Sequence, residues 1–216
     1  KMKYDYKKYP ITTGVIGVCI LVYIYTTIRY GVDMNANEGL ETGGFNPILV
    51  VYFNEYYRLI TANFIHFGLM HIFCNCYSLV NLGSVMEHLL GQKRYAIVLG
   101  ASMIATTLLP CLLFFVNKSG AYSVMGGISG AIFGLIGALL ALAIKFKNIY
   151  AYLFKQISSS ILLMLLISVL VPSISLIGHV AGMIGGFIAM ILIIKLMPLT
   201  IWQNNKETSS HNNLMN

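Results

Sequence analysis

Apolar residues run through this chain in long blocks, and polar residues collect in the gaps between them. A helix that crosses the ~30 Å hydrocarbon layer of a bilayer needs about 20 mostly apolar residues. Six blocks read as spans: Ile11–Ile28, Leu69–Leu89, Tyr95–Val116, Gly127–Ile144, a shorter Ile157–Val171, and Ile174–Met197. Pro110 is expected to bend the third locally and Pro172 to end the fifth, because proline interrupts the helical hydrogen-bond ladder. The one long gap, Tyr30–Gly68, mixes Asp33, Glu38, Glu41 and Glu55 with Phe45, Tyr52, Phe53, Tyr56, Tyr57 and Phe64. That mixture predicts a loop lying partly in the membrane interface, where tyrosine is favoured. The pattern as a whole predicts an all-α membrane protein, a six-helix bundle over residues 11–200. A basic segment, 1–10, precedes it, and a polar tail, 201–216, follows and is expected to be disordered. No internal repeat and no second domain is visible.

Composition strengthens this picture. Only 10% of residues are charged, against about 25% in soluble domains. The net charge of +7 would suggest nucleic acid in a soluble protein; in a membrane protein it reflects basic residues gathered in cytoplasmic loops. Of the 14 Lys and Arg residues, 11 fall on one side of the predicted topology and only Arg29, Arg58 and Lys118 on the other. Both termini are therefore expected in the cytoplasm. The first span lacks a small-residue cleavage site and more spans follow it, so it is expected to be retained rather than removed as a signal peptide. Many Lys, Asn and Ile residues point to a bacterial plasma membrane. Cys19, Cys74, Cys76 and Cys111 all sit in apolar blocks, where thiols behave as small hydrophobes. Cys74-Asn75-Cys76 has no second pair at zinc-site spacing, so no metal and no cofactor is expected.

Topology then fixes depth. Spans two, four and six all run from the outer face inwards, so His71 and Asn75, Ser129, and His179 each fall within the outer third of the membrane at about 1.5 Å per residue. Polar and ionisable groups at such depths are functional candidates by default. Ser129 is a candidate nucleophile and His179 its candidate general base. His71 and Asn75, spaced i and i+4, share a helix face and, with the Ser129 amide, could donate to a developing oxyanion. His66, five residues before His71, would lie about 140° round a regular helix, a poor metal pair. No Asp or Glu falls near this depth, so the reading is a dyad rather than a triad. Gly130, Gly134 and Gly137 are expected to face Gly182, Gly185 and Gly186, letting spans four and six approach closely.

Several motifs now carry a resemblance. Gly127-Ile128-Ser129-Gly130 resembles the Gly-x-Ser-Gly nucleophile motif of the rhomboid family of intramembrane serine proteases. His179-Val180-Ala181-Gly182, with Gly186, resembles that family's base motif, and His66, His71 and Asn75 its second-span motif. Gly83, Glu87, Gly91 and Arg94 fit a further family run, and Glu55-Tyr56-Tyr57-Arg58-Leu59 resembles its first-loop motif. The resemblance implies a serine endopeptidase that cleaves single-span membrane proteins near the outer face, with helix-destabilising segments in its substrates. It implies Ser129 and His179 as catalytic groups and His71 and Asn75 as the oxyanion site. His66 would be a structural or water-holding group. Two positions depart from the family pattern: Tyr57 stands where tryptophan is usual, and Phe133 where tyrosine is frequent. The expected partners are transmembrane substrates and the lipid bilayer, with no nucleic acid and no metal. Two other readings compete, a catalytically inactive rhomboid-like protein that binds membrane clients, and a small transporter. The intact serine, histidine and asparagine set argues against the first. The lack of a charged path or paired broken helices argues against the second.

Overall fold

The computed structural model describes residues 5–170 and 175–200. Helix α1 (Pro10–Tyr30) starts on a proline, whose fixed φ suits the first helical position. The long segment between α1 and the next span is more ordered than its sequence suggests: it holds α2 (Ala36–Glu41), α3 (Pro47–Phe53), α4 (Arg58–Thr61) and a 3₁₀ turn at Ala62–Phe64. An Asn35–Glu38 capping box opens α2, and the Asn46 side chain caps α3 while donating to the carbonyls of Ala121 and Ser123 at 3.0 Å. The next span, Leu69–Leu90, comprises α5 (Leu69–Ser78), a π-helical turn (Leu79–Gly83) and α6 (Ser84–Leu90). It is followed by α7 (Gln92–Asn117), α8 (Ser129–Lys145), α9 (Lys147–Leu170) and α10 (Leu176–Leu196).

Helices α1, α5–α6, α7 and α10 are long and apolar enough to cross a membrane. With Ser129–Lys145 as a shorter apolar helix and no strand beyond an isolated Phe45–Met125 bridge among the described residues, the chain is an all-α, multi-pass membrane protein. Two boundaries differ from those expected. Helix α9 begins ten residues before Ile157 because Lys147 and Lys155 are helical but lower local hydropathy. Helix α8 begins at Ser129, not Gly127, because Gly127 turns the chain at φ +106°. Pro110 lies inside an unbroken α7; Pro172 and Ile174 lie outside the described residues.

Helix α8 is the axis of the molecule, buried on every side from Gly130 to Leu139. In lipid, helix association depends on close packing rather than on hydrophobic burial, and glycine supplies that packing here. A Cβ at Gly182 would strike the Gly130 carbonyl, one at Gly186 the Gly134 carbonyl, and one at Gly137 the Met183 carbonyl. Gly185 departs from the expected seam, facing Ala101 and Ala105 of α7 instead. Helix α7 is the third wall: Thr106 and Ser102 pack directly on Gly130 and Gly134.

Away from the serine, two charged side chains tie the bundle together at helix ends. The Ile11 and Thr12 amides of α1 donate to the Glu87 carboxylate at 3.0 and 2.9 Å. Arg94 donates from Nε to the Met197 carbonyl at 2.7 Å and from Nη2 to Pro198 at 3.3 Å, closing the end of α10. An anion at a helix N-terminus and a cation at a C-terminus each match the helix dipole. The Thr12 hydroxyl also donates to Tyr95 Oη at 2.9 Å, a contact that passes beside Gly83.

Candidate active site

The turn before α8 is fixed on both sides. Met125 exchanges backbone hydrogen bonds with Phe45, in the segment between α2 and α3, at 2.8 and 2.9 Å, and the Gly127 amide donates to the Ala62 carbonyl at 2.9 Å. This delivers Ser129 to the first turn of α8, half-buried, with its Oγ 2.8 Å from His179 Nε2. His179 is in the first turn of α10 and is buried. One turn below Ser129, the fully buried Phe133 stacks on the imidazole, ring centroids 4.3 Å apart and planes 20° apart. The missing phenol hydroxyl therefore leaves the packing intact.

His71 and Asn75 converge on the same turn from α5. A Cβ at Gly127 would lie 2.6 Å from His71 Nε2 and 3.2 Å from Asn75 Nδ2. The space left by the absent side chain is thus lined by both nitrogens. His71 Nδ1 accepts from the Phe67 amide at 3.5 Å, a long bond that favours the proton on Nε2. Asn75 is buried and its Nδ2 has no partner. Buried donors are nearly always satisfied, so an unpaired one beside the Gly127 turn marks a place where an acceptor can bind.

His66 does not follow the helical-wheel expectation. It precedes α5, whose first residue is Leu69, and so is not bound by that helix's geometry. Its ring meets that of His71, centroids 5.0 Å apart. Nδ1 lies 3.1 Å from the Phe64 carbonyl, while the buried Nε2 has no partner. The segment from α2 to α4 is clamped by the buried Arg58, which donates from Nη1 to the carbonyls of Leu40 and Gly44 at 2.7 Å and from Nε to Glu55. Tyr57 keeps an aromatic face against that guanidinium, 5.2 Å from its centroid. The Arg58 hydrogen bond holds the Glu55 carboxyl below its ordinary pKa.

The acids are engaged elsewhere. Asp5 accepts from the Lys7 amide, Glu38 caps α2, Glu41 accepts from Tyr30, Glu55 pairs with Arg58, and Glu87 holds α1. Asp33 lies against Gly68, and Glu207 lies outside the described residues. The contacts that Met125 and Phe67 make here were not visible in the sequence, since each acts by backbone pairing rather than through a motif.

The family model for the rhomboid domain matches residues 53–196. The chain belongs to the rhomboid family. Among related proteins, the Rhomboid protease GluP of Bacillus subtilis is 28% identical over 81% of this rhomboid chain. RHOMBOID-like protein 6, mitochondrial, of Arabidopsis thaliana is 28% identical over 93% of it. Inactive RHOMBOID-like protein 8 of Arabidopsis thaliana is 36% identical over 45%. The chain spans 33%, 66% and 26% of these relatives' own lengths, respectively.

Proposed function

We propose that this rhomboid chain is an intramembrane serine endopeptidase that cleaves single-span membrane proteins near the outer membrane face. The observation that carries the reading is the 2.8 Å contact between Ser129 Oγ and His179 Nε2, set beside an unpartnered buried donor on Asn75. Ser129 Oγ attacks the scissile carbonyl carbon while His179 Nε2 takes its proton. The carbonyl oxygen, now anionic, enters the space beside Gly127 and accepts from His71 Nε2–H, Asn75 Nδ2–H and the Ser129 amide. His179 returns the proton to the departing amide nitrogen, leaving an acyl-serine. A water then gives its proton to His179 and attacks the ester, and the collapsing intermediate reforms the Ser129 hydroxyl. His66, with its buried unpaired Nε2 next to His71, suits a structural or water-holding role.

The architecture that accompanies this reading has six spans over residues 11–200, with both termini in the cytoplasm of a bacterial cell and the outer loop on the far side. It extends the four long apolar helices by α8 and α9. At 17 residues α8 is about 25 Å long, shorter than the hydrocarbon layer, which suits a serine set below the membrane surface. A helical peptide bond is shielded from attack, so substrates need a segment that unwinds easily.

An inactive relative in the same family keeps a second reading in view, a client-binding protein without activity. Labelling of the purified chain by a fluorophosphonate, with Ser129→Ala and His179→Ala as controls, separates the two. Labelling and cleavage of a transmembrane substrate that vanish in both variants support the protease. Labelling no stronger than in Ser129→Ala, with no cleavage, would overturn it.

A further inference from the structure

The two groups of the dyad sit on different helices, 50 residues apart in sequence. Below the site, the glycine contacts Gly130–Gly182 and Gly134–Gly186 hold α8 against α10. That seam cannot hold the top of α10, because α8 starts at Ser129 and offers no helix beside the residues preceding His179. Met125 does this instead. The Ser175 side chain caps α10 by accepting from the Gly178 amide at 3.0 Å, and its hydroxyl donates to the Met125 sulfur at 3.5 Å. Gly178 completes the seat: a Cβ there would lie 2.6 Å from Met125 Cε. The Ser175 carbonyl accepts from the His179 amide itself at 3.1 Å.

We propose that Ser175 is a positioning residue for His179, clamping the first turn of α10 onto Met125 and so setting the reach of the imidazole to Ser129. The inference rests on the dyad reading above. Met125 is a firm anchor because its backbone pairs on both sides with Phe45, and it lies four residues before Ser129. The clamp is needed because there is room to move. A cavity of about 70 Å³ adjoins Met125 and Ser175, walled by Pro110, Leu113 and Ser123. Without the serine, the Met125 side chain can swing into that space and the first turn of α10 loses both its cap and its seat. Displacing a reacting group by about 1 Å can cost on the order of 10²-fold in rate, so a smaller shift suffices to slow the reaction.

The test uses the full chain in detergent and follows fluorophosphonate labelling with time, reading amplitude and rate separately. Misfolding lowers the amplitude; mispositioning lowers the rate at full amplitude. Ser175→Ala is expected to label to wild-type amplitude at a rate about tenfold lower, with KM for a peptide substrate unchanged. Ser175→Thr keeps a hydroxyl at the cap and restores the rate to within about twofold. Met125→Ala is expected to slow labelling by a similar factor, and the double variant to be no slower than either single one, as for two residues that form one device. A wild-type rate in Ser175→Ala, a loss confined to amplitude, no rescue by threonine, or single effects that multiply in the double variant would each overturn the proposal. If the wild-type chain labels no better than Ser129→Ala, the dyad reading fails first and the positioning role falls with it.

Discussion

At one end of the bundle, Glu87 and Arg94 give their charges to helix termini and leave little unsatisfied. At the other end, Asn75 and His66 each keep a buried polar atom with no partner. Both ends bury polar groups among membrane helices, where an unpaired group is costly. The first end uses them as ties that hold α1 and α10. The second withholds them from the protein, which is what a site needs if an acceptor is to bind there. Loss of a group should therefore mean loss of stability at one end and loss of rate at the other.

The sharpest way to break this contrast is at the nucleophile. Ser129→Ala is expected to lose activity by up to ~10⁶-fold, as for serine knockouts in soluble proteases, with its thermal unfolding in detergent unchanged. A large drop in unfolding temperature would mean that the serine also holds the fold. Asn75→Ala comes next, with an expected fall in kcat of ~10²–10³, the value of one oxyanion donor. Its stability should hold or rise, because a buried unpaired amide is removed; a destabilised variant with normal kcat would reverse the assignment of that end. Glu87→Gln should invert the pattern. It sets an amide NH₂ against one of two backbone donors, so unfolding should become easier by about 3 kcal/mol, from the loss of charge-assisted bonds. The rate per folded molecule should be retained.

The smallest effect concerns pH. Arg58 lowers the Glu55 pKa in the folded state, so the stabilisation is complete above the ordinary glutamate value. It is lost as the pH falls below that value and through the lower folded one. The carboxylate is partly exposed and its pairing is screened by salt. Glu55→Gln is therefore expected to flatten the acid limb of unfolding only slightly, which a series of melts at falling pH would detect.

The sequence made the spans and the polar groups legible because lipid imposes a coarse rule on every residue that faces it. Ser129 and His179 each open an apolar block, which suggests that they meet, and they lie 2.8 Å apart. What stayed hidden was whatever depends on exact backbone path. Two of the three short helices between α1 and α5 are set by local caps, Asn35 and Asn46, which a hydropathy reading passes over. The π-helical turn at Leu79–Gly83 lies in an apolar block that reads as ordinary helix. The meeting of the His66 and His71 rings stayed hidden because His66 precedes α5, where helical spacing gives no direction. Gly185 was assigned to the wrong neighbour because spacing reports that a helix has a small-residue face, not which helix meets it.

Gly127 has a consequence for how such proteins change over generations. The position beside it is too tight for a carbon, with His71 Nε2 2.6 Å and Asn75 Nδ2 3.2 Å from where a Cβ would stand. Gly127→Ala would press on His71, where the oxyanion is proposed to sit, and strain a backbone at φ +106°, yet leave Ser129 and His179 unchanged. If the proposed dyad is right, one added methyl group is enough to silence it while serine and histidine both stay in place.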